Sequence, residues 1–113
     1  MAAMRRPSFL ILSALALGPL HGYAVIKEVE RLSADSVHLA AGTLYAALDR
    51  LTDEGLIEVD HEETVDGRLR RYYRLTVAGT AALAAEAEQM RRDARMVAQR
   101  LRRAGPAGAP SPA

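Results

Sequence analysis

Apolar residues follow a helical pattern in three segments of the first half of the chain. Residues 8–17 are almost uniformly apolar, and residues 21–32 and 41–54 carry apolar side chains three and four positions apart. This spacing places those side chains on one side of a helix, where they can be buried in a shared core. The pattern predicts three helices with short connections.

Residues that begin and end helices support these boundaries. Ser8 is predicted to cap the first helix, and the Gly-Pro pair at 18–19 is predicted to end it. Gly55 follows the third helix as its capping glycine. At the start of the second helix, we expect a capping or hydrogen-bonding role for His21 and a packing role for Tyr23.

The next segment changes to the period of two that is typical of a strand with one buried face. Ile57 and Val59 alternate with acidic residues, and Tyr73 and Leu75 form a second inward-facing pair. Between them lies an Asp-Gly pair at 66–67, which is a strong hairpin signal. The sequence therefore predicts a β-hairpin.

Two turns are compatible with this hairpin. A two-residue turn at 66–67 would pair Leu75 with Glu58 and mix apolar and acidic residues on one face. A three-residue loop, 65–67, instead places the apolar pairs of the two strands opposite each other. We therefore expect the longer loop, with Gly67 in the left-handed conformation.

The longer loop also fixes the charged pairs on the outer face of the hairpin. It sets Glu58 beside Arg74 and Glu62 beside Arg70.

A long helix is predicted over residues 77–103, with Thr76 as its N-cap. Its apolar positions are spaced alternately four and three apart, which is a heptad stripe: Leu83, Ala87, Met90, Ala94, Val97 and Leu101. Such a helix spans about 40 Å, more than a three-helix core can cover. The stripe therefore needs a further surface, and the simplest one is a second copy of the chain.

Three helices followed by a hairpin form the layout of a winged helix-turn-helix domain. The predicted fold class is mainly α with a small β-hairpin: a winged helix-turn-helix at 1–76, a C-terminal dimerisation helix at 77–104 and a disordered Pro/Gly/Ala-rich tail at 105–113. In such domains the third helix enters the DNA major groove and the hairpin lies against the backbone or the minor groove. Arg68, Arg70 and Arg71 would then face phosphates.

Composition removes several other classes of function. The 113 residues suffice for one domain, and the absence of cysteine excludes disulfides and thiolate metal sites. No apolar run is long enough to span a membrane, and the N-terminal run lacks a signal-peptide cleavage site, so we expect a cytoplasmic protein. His38 and His61 are isolated, so no metal is expected. No glycine-rich phosphate loop or catalytic cluster is recognisable by spacing, which argues against an enzyme and a cofactor.

Three sequence blocks resemble the PadR family of transcriptional regulators. They are LGPLHGYAVIKEVE at 17–30, GTLYAALDRLTDEGLIE at 42–58 and GRLRRYYRLTVAGTAAL at 67–83. The short C-terminus resembles the family branch that ends in a single dimerisation helix. The resemblance implies a homodimer that binds double-stranded DNA at an inverted repeat, usually as a repressor, and is often released by a small aromatic or drug-like effector.

The predicted DNA-reading helix departs from the family pattern. Ala41 stands where the family usually has proline, and Arg50 is the only basic residue at the exposed positions. Thr43 and Tyr45 are the other candidates for the groove. Affinity would then depend mainly on backbone contacts and fall steeply with salt.

The same residues also permit less specific interpretations. The hairpin arginines could form a solvated face that is neutralised by Glu58, Glu62 and Glu63. The weakly basic third helix would also suit a winged-helix interaction module that does not bind specific DNA.

The heptad stripe and the first helix supply the remaining candidates. The large stripe residues are expected to form the dimer interface: Leu83, Met90, Val97 and Leu101. Family precedent places an effector in the space beside the small Ala87 and Ala94. The expected apolar contacts of that effector are Phe9, Leu12, Met90 and Val97.

Overall fold

The computed structural model describes residues 4–105. Four helices and three strands follow in the order α1 (Arg6–Ala14), β1 (Leu20–His21), α2 (Gly22–Leu32), α3 (Ala41–Asp53), β2 (Ile57–Val65), β3 (Arg68–Leu75) and α4 (Val77–Ala104). This confirms the predicted fold class of three helices, a hairpin and a long final helix. Of the disordered tail predicted at 105–113, Gly105 follows α4 as its C-cap, and residues 106–113 lie outside the described residues. None of the described helices is both long and apolar enough to cross a membrane.

Helix α1 begins two residues earlier than predicted. Arg5 is its N-cap and Pro7 lies in its first turn, where a missing backbone N–H costs nothing. Ser8 is buried, and its hydroxyl accepts a hydrogen bond from Arg50 at 2.8 Å. The prediction that Ser8 caps the helix is therefore wrong. A short 3-10 turn, Leu15–Leu17, then ends the segment before Gly18.

The other predicted helix ends are confirmed. The Nδ1 atom of His21 accepts a hydrogen bond from the Ala24 N–H at 3.4 Å, which caps α2. Gly55 follows α3 with a φ of 76°, in the left-handed region that glycine tolerates best. The Thr76 hydroxyl accepts a hydrogen bond from the Gly79 N–H at 2.9 Å and caps α4.

The core lies between the first three helices and the base of the hairpin. Its fully buried large side chains are Ile11, Leu12, Leu15, Val25, Val29, Leu44, Leu48, Leu51 and Ile57. Tyr73 is also buried and confirms that one of the two adjacent tyrosines faces inward. Burial of a large aliphatic side chain contributes about 1.5–3 kcal/mol, so this cluster fixes how α3 and the hairpin sit relative to each other.

The hairpin belongs to a three-stranded antiparallel sheet with the order β1-β3-β2. The strand β1 was not predicted. It pairs Leu20 with Tyr73 and His21 with Tyr72, and two residues are too few to show a period of two. This strand anchors the start of α2 to the middle of the hairpin.

The base of the hairpin has the predicted register. Its pairs are Ile57 with Leu75, Glu58 with Arg74 and Val59 with Tyr73. The expected three-residue loop is nevertheless wrong. Val65 pairs with Arg68, so the turn has two residues, and both Asp66 and Gly67 have positive φ, at 51° and 76°. These angles match the turn that favours Asp-Gly in tight hairpins.

A bulge at Asp60 reconciles the short turn with the apolar face. The register shifts by one between Val59 and His61, so the extra residue lies within β2 and not in the loop. Beyond the bulge, Glu62 lies opposite Arg71, and the predicted pair of Glu62 with Arg70 is wrong.

The first turn of α4 is held tightly against the turn that follows α3. The Leu56 carbonyl accepts a hydrogen bond from the Thr76 N–H at 3.1 Å, and the Thr76 hydroxyl donates to the Gly55 carbonyl at 2.6 Å. A Cβ atom at Gly79 would lie 1.9 Å from the Leu56 carbonyl oxygen. Only glycine therefore permits this approach.

Helix α4 has 28 residues, about 42 Å at 1.5 Å per residue. Leu83 packs against the core of its own chain. Beyond it, Met90, Val97 and Leu101 are 43%, 47% and 64% exposed. The molecule is 70 Å long and only 27 by 21 Å across, so the distal part of α4 projects away from the winged unit.

Candidate nucleic-acid interface

Helix α3 turns one side to the core and the other to the surface next to the hairpin. Leu44, Leu48 and Leu51 are buried, whereas Thr43 and Tyr45 are exposed. This arrangement follows from the helical spacing, because positions three, four and seven apart share a side.

A cleft of about 830 Å³ separates α3 and the start of α2 from the hairpin. It is lined by His21, Gly22, Tyr23, Tyr45, Asp49, Val65, Asp66, Arg68, Leu69, Arg70, Arg71 and Tyr73. Four of the six predicted DNA-binding residues therefore meet at one cleft: Tyr45, Arg68, Arg70 and Arg71. Thr43 and Arg50 do not line it.

The arginines of β3 differ in their pairing. Arg74 binds Glu58 at 2.8 Å and Asp60 at 3.1 Å, and Arg71 lies 3.6 Å from Glu62. Glu58 and, to a lesser extent, Asp60 raise the pKa of the Arg74 guanidinium, whereas the Tyr73 hydroxyl and, after it, Glu62 raise the pKa of the Arg71 guanidinium. A neutralised outer face thus describes Arg74, whereas Arg71 shares the face of the buried Tyr73 because side chains alternate along a strand.

Arg68 and Arg70 have no ion pair within residues 4–105. Glu63 lies opposite Arg70 in the ladder, but it accepts a hydrogen bond from the Tyr72 hydroxyl at 2.6 Å. The carboxylate nearest in register therefore has another partner. The two guanidinium groups remain available to an anion from outside the winged unit.

Two histidine rings flank Tyr72 on the sheet. His61 stacks on it with ring centres 4.3 Å apart, and His21 meets it edge-on at 5.3 Å. Burial lowers the pKa of His21, and the positive charge of Arg70 lowers it further. At pH 7 the neutral form of His21 is therefore favoured, and this form can keep its capping hydrogen bond.

Arg50 lies on the opposite side of α3 from the cleft. Its guanidinium donates to the Ser8 hydroxyl at 2.8 Å and to Glu54 at 3.2 Å. Thr43 shares this side of the helix, since it precedes Arg50 by seven positions. The predicted groove residues therefore form two groups on the two flanks of α3.

Tyr23 is 63% exposed, so the packing role predicted for it is wrong. Tyr23 lies on the side of α2 away from the buried Val25, and the Lys27 ammonium is 5.4 Å from the centre of its ring.

The residues predicted at the dimer interface and the effector site differ in how far they are exposed in the single chain. Leu12 has no exposed surface, so it cannot contact an effector at the surface and is removed from that set. Phe9 is partly buried against the core. Met90 and Val97 lie on the exposed part of α4. No group of three or more metal-ligating side chains occurs among residues 4–105.

Comparison with known proteins shows where this arrangement recurs. The profile of the PadR-like transcriptional regulator family matches residues 11–85. The transcriptional regulator Rv3488 of Mycobacterium tuberculosis is 40% identical over 87 residues, which are 77% of this chain and 78% of that protein.

Two solved structures are similar over most of the chain. A PadR family transcription regulator from Clostridium difficile superposes with a TM-score of 0.70 and 28% identity, over 84% of this chain and 97% of that one. Bacillus subtilis PadR in complex with operator DNA gives a TM-score of 0.64 and 26% identity. That match covers 72% of this chain but 46% of the Bacillus protein.

Proposed function

Because the chain belongs to the PadR-like family of transcriptional regulators, we propose that it binds specific double-stranded DNA as a homodimer in the cytoplasm. Members of this family are transcription regulators and not enzymes. The similar Bacillus protein has been solved with operator DNA, which supports DNA as the partner of this chain.

The observation that carries the proposal is the pair of unpaired arginines at the cleft. Arg68 and Arg70 face the same cleft as Tyr45 on α3. Phosphate contacts supply most of the affinity in protein–DNA complexes, and base contacts supply the sequence preference. In this proposal the hairpin arginines bind the backbone while α3 lies in the major groove.

The groove surface of α3 favours backbone and shape recognition over arginine-to-guanine contacts. Asp49 lies at the cleft and Arg50 is held by Ser8 and Glu54. Tyr45 and Thr43 can donate a hydrogen bond to phosphate or contact a thymine methyl group. Affinity should therefore depend strongly on salt.

The dimer is supported by the apolar surface of α4. Met90, Val97 and Leu101 recur at heptad spacing and are exposed in the single chain. A second copy related by twofold symmetry would cover them and present two copies of α3. Leu83 already packs on its own core, so the interface would begin beyond it.

Repression and its release by a small molecule are the regulatory part of the proposal. The effector would contact Met90 and Val97 near the dimer interface, with Phe9 at the edge. The residues of that surface are apolar and include no tryptophan, so apolar contact would contribute more than aromatic stacking.

A protein-interaction module without specific DNA binding is the second candidate. Two observations favour it. Asp49 places a negative charge at the cleft, and Arg50, the one basic residue of α3, is hydrogen-bonded to Ser8.

Binding to the DNA upstream of the protein's own gene separates the two. We expect tight binding to that DNA, weaker binding to a random duplex, and a footprint over an inverted repeat. The half-site centres should lie about 34–36 Å apart or a multiple of that distance. Equal affinity for both duplexes would reject specific recognition, and a footprint over one unpaired half-site would reject the symmetric dimer.

A further inference from the structure

The first residue of α2 is in unusually close contact with the side chain of Tyr45. Gly22 is buried, and a Cβ atom built on it would lie 2.6 Å from the Tyr45 hydroxyl oxygen and 2.9 Å from the ring carbon that bears it. Both distances are shorter than a carbon side chain permits. The Tyr45 ring therefore occupies space that exists only because residue 22 has no side chain.

The backbone at this position does not itself require glycine. The described glycines with positive φ are Gly18, Gly55, Gly67 and Gly105, and Gly22 is not among them. A residue with a side chain could adopt its backbone conformation without strain. Space for Tyr45 is thus the physical reason for glycine here.

The contact fixes where the Tyr45 hydroxyl lies. Tyr45 is half-exposed and lines the cleft together with Gly22, Arg70 and Asp49. The hydroxyl-bearing end of its ring rests against the start of α2, at the edge of the cleft. That support restricts the ring before any ligand arrives, and a restricted group loses less conformational entropy on binding.

We propose that Gly22 is a positioning residue for DNA recognition, which holds the Tyr45 phenol at the cleft so that its hydroxyl meets the phosphate backbone beside Arg70. The proposal rests on the proposed DNA-binding function. Gly22 touches no DNA in this arrangement and acts through Tyr45 alone.

Gly22→Ala tests this directly. The atoms that a new methyl group would displace lie at the far end of a side chain and not in the backbone, so the variant should fold while the Tyr45 ring moves. We expect the affinity for the upstream duplex to fall by about fivefold for each Tyr45 hydrogen bond, and so by about 25-fold in the proposed dimer, which makes the contact twice.

A double-mutant cycle separates positioning from a general packing role. Tyr45→Ala should lower the affinity by a similar factor. In the Tyr45→Ala background, Gly22→Ala should change the affinity by less than about twofold, because the ring it would displace is absent. An equal loss in both backgrounds, or parent affinity in Gly22→Ala, overturns the proposal.

Fluorine NMR on 3-fluorotyrosine-labelled protein gives a readout that does not depend on DNA. The chain has four tyrosines, and the Tyr45 resonance is assigned by its loss in Tyr45→Phe. Gly22→Ala should shift it, while the resonance of the buried Tyr73 serves as the control. An unmoved Tyr45 resonance overturns the positioning role. If the parent binds no duplex while the resonance shifts, the proposed function fails and the structural contact stands.

Discussion

The salt dependence of DNA binding distinguishes the two kinds of arginine on β3. The perturbation is Arg70→Ala, and its matched control is Arg74→Ala. Both remove one positive charge from the same strand. Arg70 has no ion pair within the described chain, whereas Arg74 is held by Glu58 and Asp60.

The expected magnitude follows from counterion release. Each phosphate that a side chain neutralises adds about 0.9 to the slope of log affinity against log salt. A dimer uses the residue twice, so Arg70→Ala should reduce the slope by about 1.8. Between 50 and 200 mM salt, this difference amounts to about a 12-fold smaller loss of affinity than in the parent.

The control should leave the slope unchanged. A guanidinium already neutralised by two carboxylates displaces few counterions from DNA. Replacing Arg68, Arg70 and Arg71 together should lower the slope by about 3.6 through Arg68 and Arg70. Arg71, whose ion pair with Glu62 is long and solvent-exposed, should add up to about 1.8 more.

Fluorescence anisotropy with a labelled duplex at four or five salt concentrations measures these slopes. The effect should be the same on the upstream duplex and on a random one, since phosphate contacts carry no sequence information. Equal slope changes for Arg70→Ala and Arg74→Ala would show that only net charge matters. An unchanged slope in the triple variant would remove the hairpin from the DNA interface.

Three further changes test other parts of the molecule. Val97→Asp should dissociate the dimer in sedimentation and abolish operator binding, since an unpaired buried carboxylate costs several kcal/mol. The control Gln99→Asp, two positions further along α4 and on another side of the helix, should remain dimeric. If Val97→Asp is also dimeric, the interface lies elsewhere. Gly79→Ala should lower the free energy of unfolding by about 1–3 kcal/mol, because its methyl group would meet the Leu56 carbonyl. The control Gly42→Ala has open space around its Cβ and should raise the free energy of unfolding by about 0.5–1 kcal/mol. Equal effects of the two substitutions in denaturant titrations would refute the close contact at Gly79. Burial and the nearby Arg70 hold the pKa of His21 below its usual 6.5. As the pH falls below 6.5, the unfolded chain therefore binds a proton at this histidine before the folded chain does, and the folded state loses stability. His21→Asn keeps a capping acceptor and should lose less stability between pH 7.5 and 5; an identical loss would show that this ring does not contribute.

The helices and the face of the hairpin could be predicted because repeated spacing signals them. Leu44, Leu48 and Leu51 mark the buried side of α3 over more than one turn, and all three are buried. The apolar alternation at the base of the hairpin likewise fixed which residues pair there. Patterns of this kind average over several residues, so one ambiguous position does not mislead them.

Features that depend on one residue could not be predicted in the same way. The hairpin has the same apolar face whether it has a short turn and a bulge at Asp60 or a longer loop and no bulge. The two arrangements differ in which charged residues lie opposite each other, and the structure has the bulge. The exposure of Tyr23 and the full burial of Leu12 depend on which sides of α2 and α1 pack against the rest of the core. Three-dimensional packing decides these points, and the linear pattern does not contain it.

The tight contact of Gly79 with Leu56 sets the direction in which α4 leaves the winged helix-turn-helix domain. A tilt of 10° at that point would move the far end of a 42 Å helix by about 7 Å, about two base-pair steps along DNA. In the proposed dimer, a small change in the angle of α4 at this contact would therefore shift the two copies of α3 away from their half-sites. In this proposal the missing methyl group at position 79 thus limits how far the two copies of α3 can shift, although Gly79 itself is buried against Leu56.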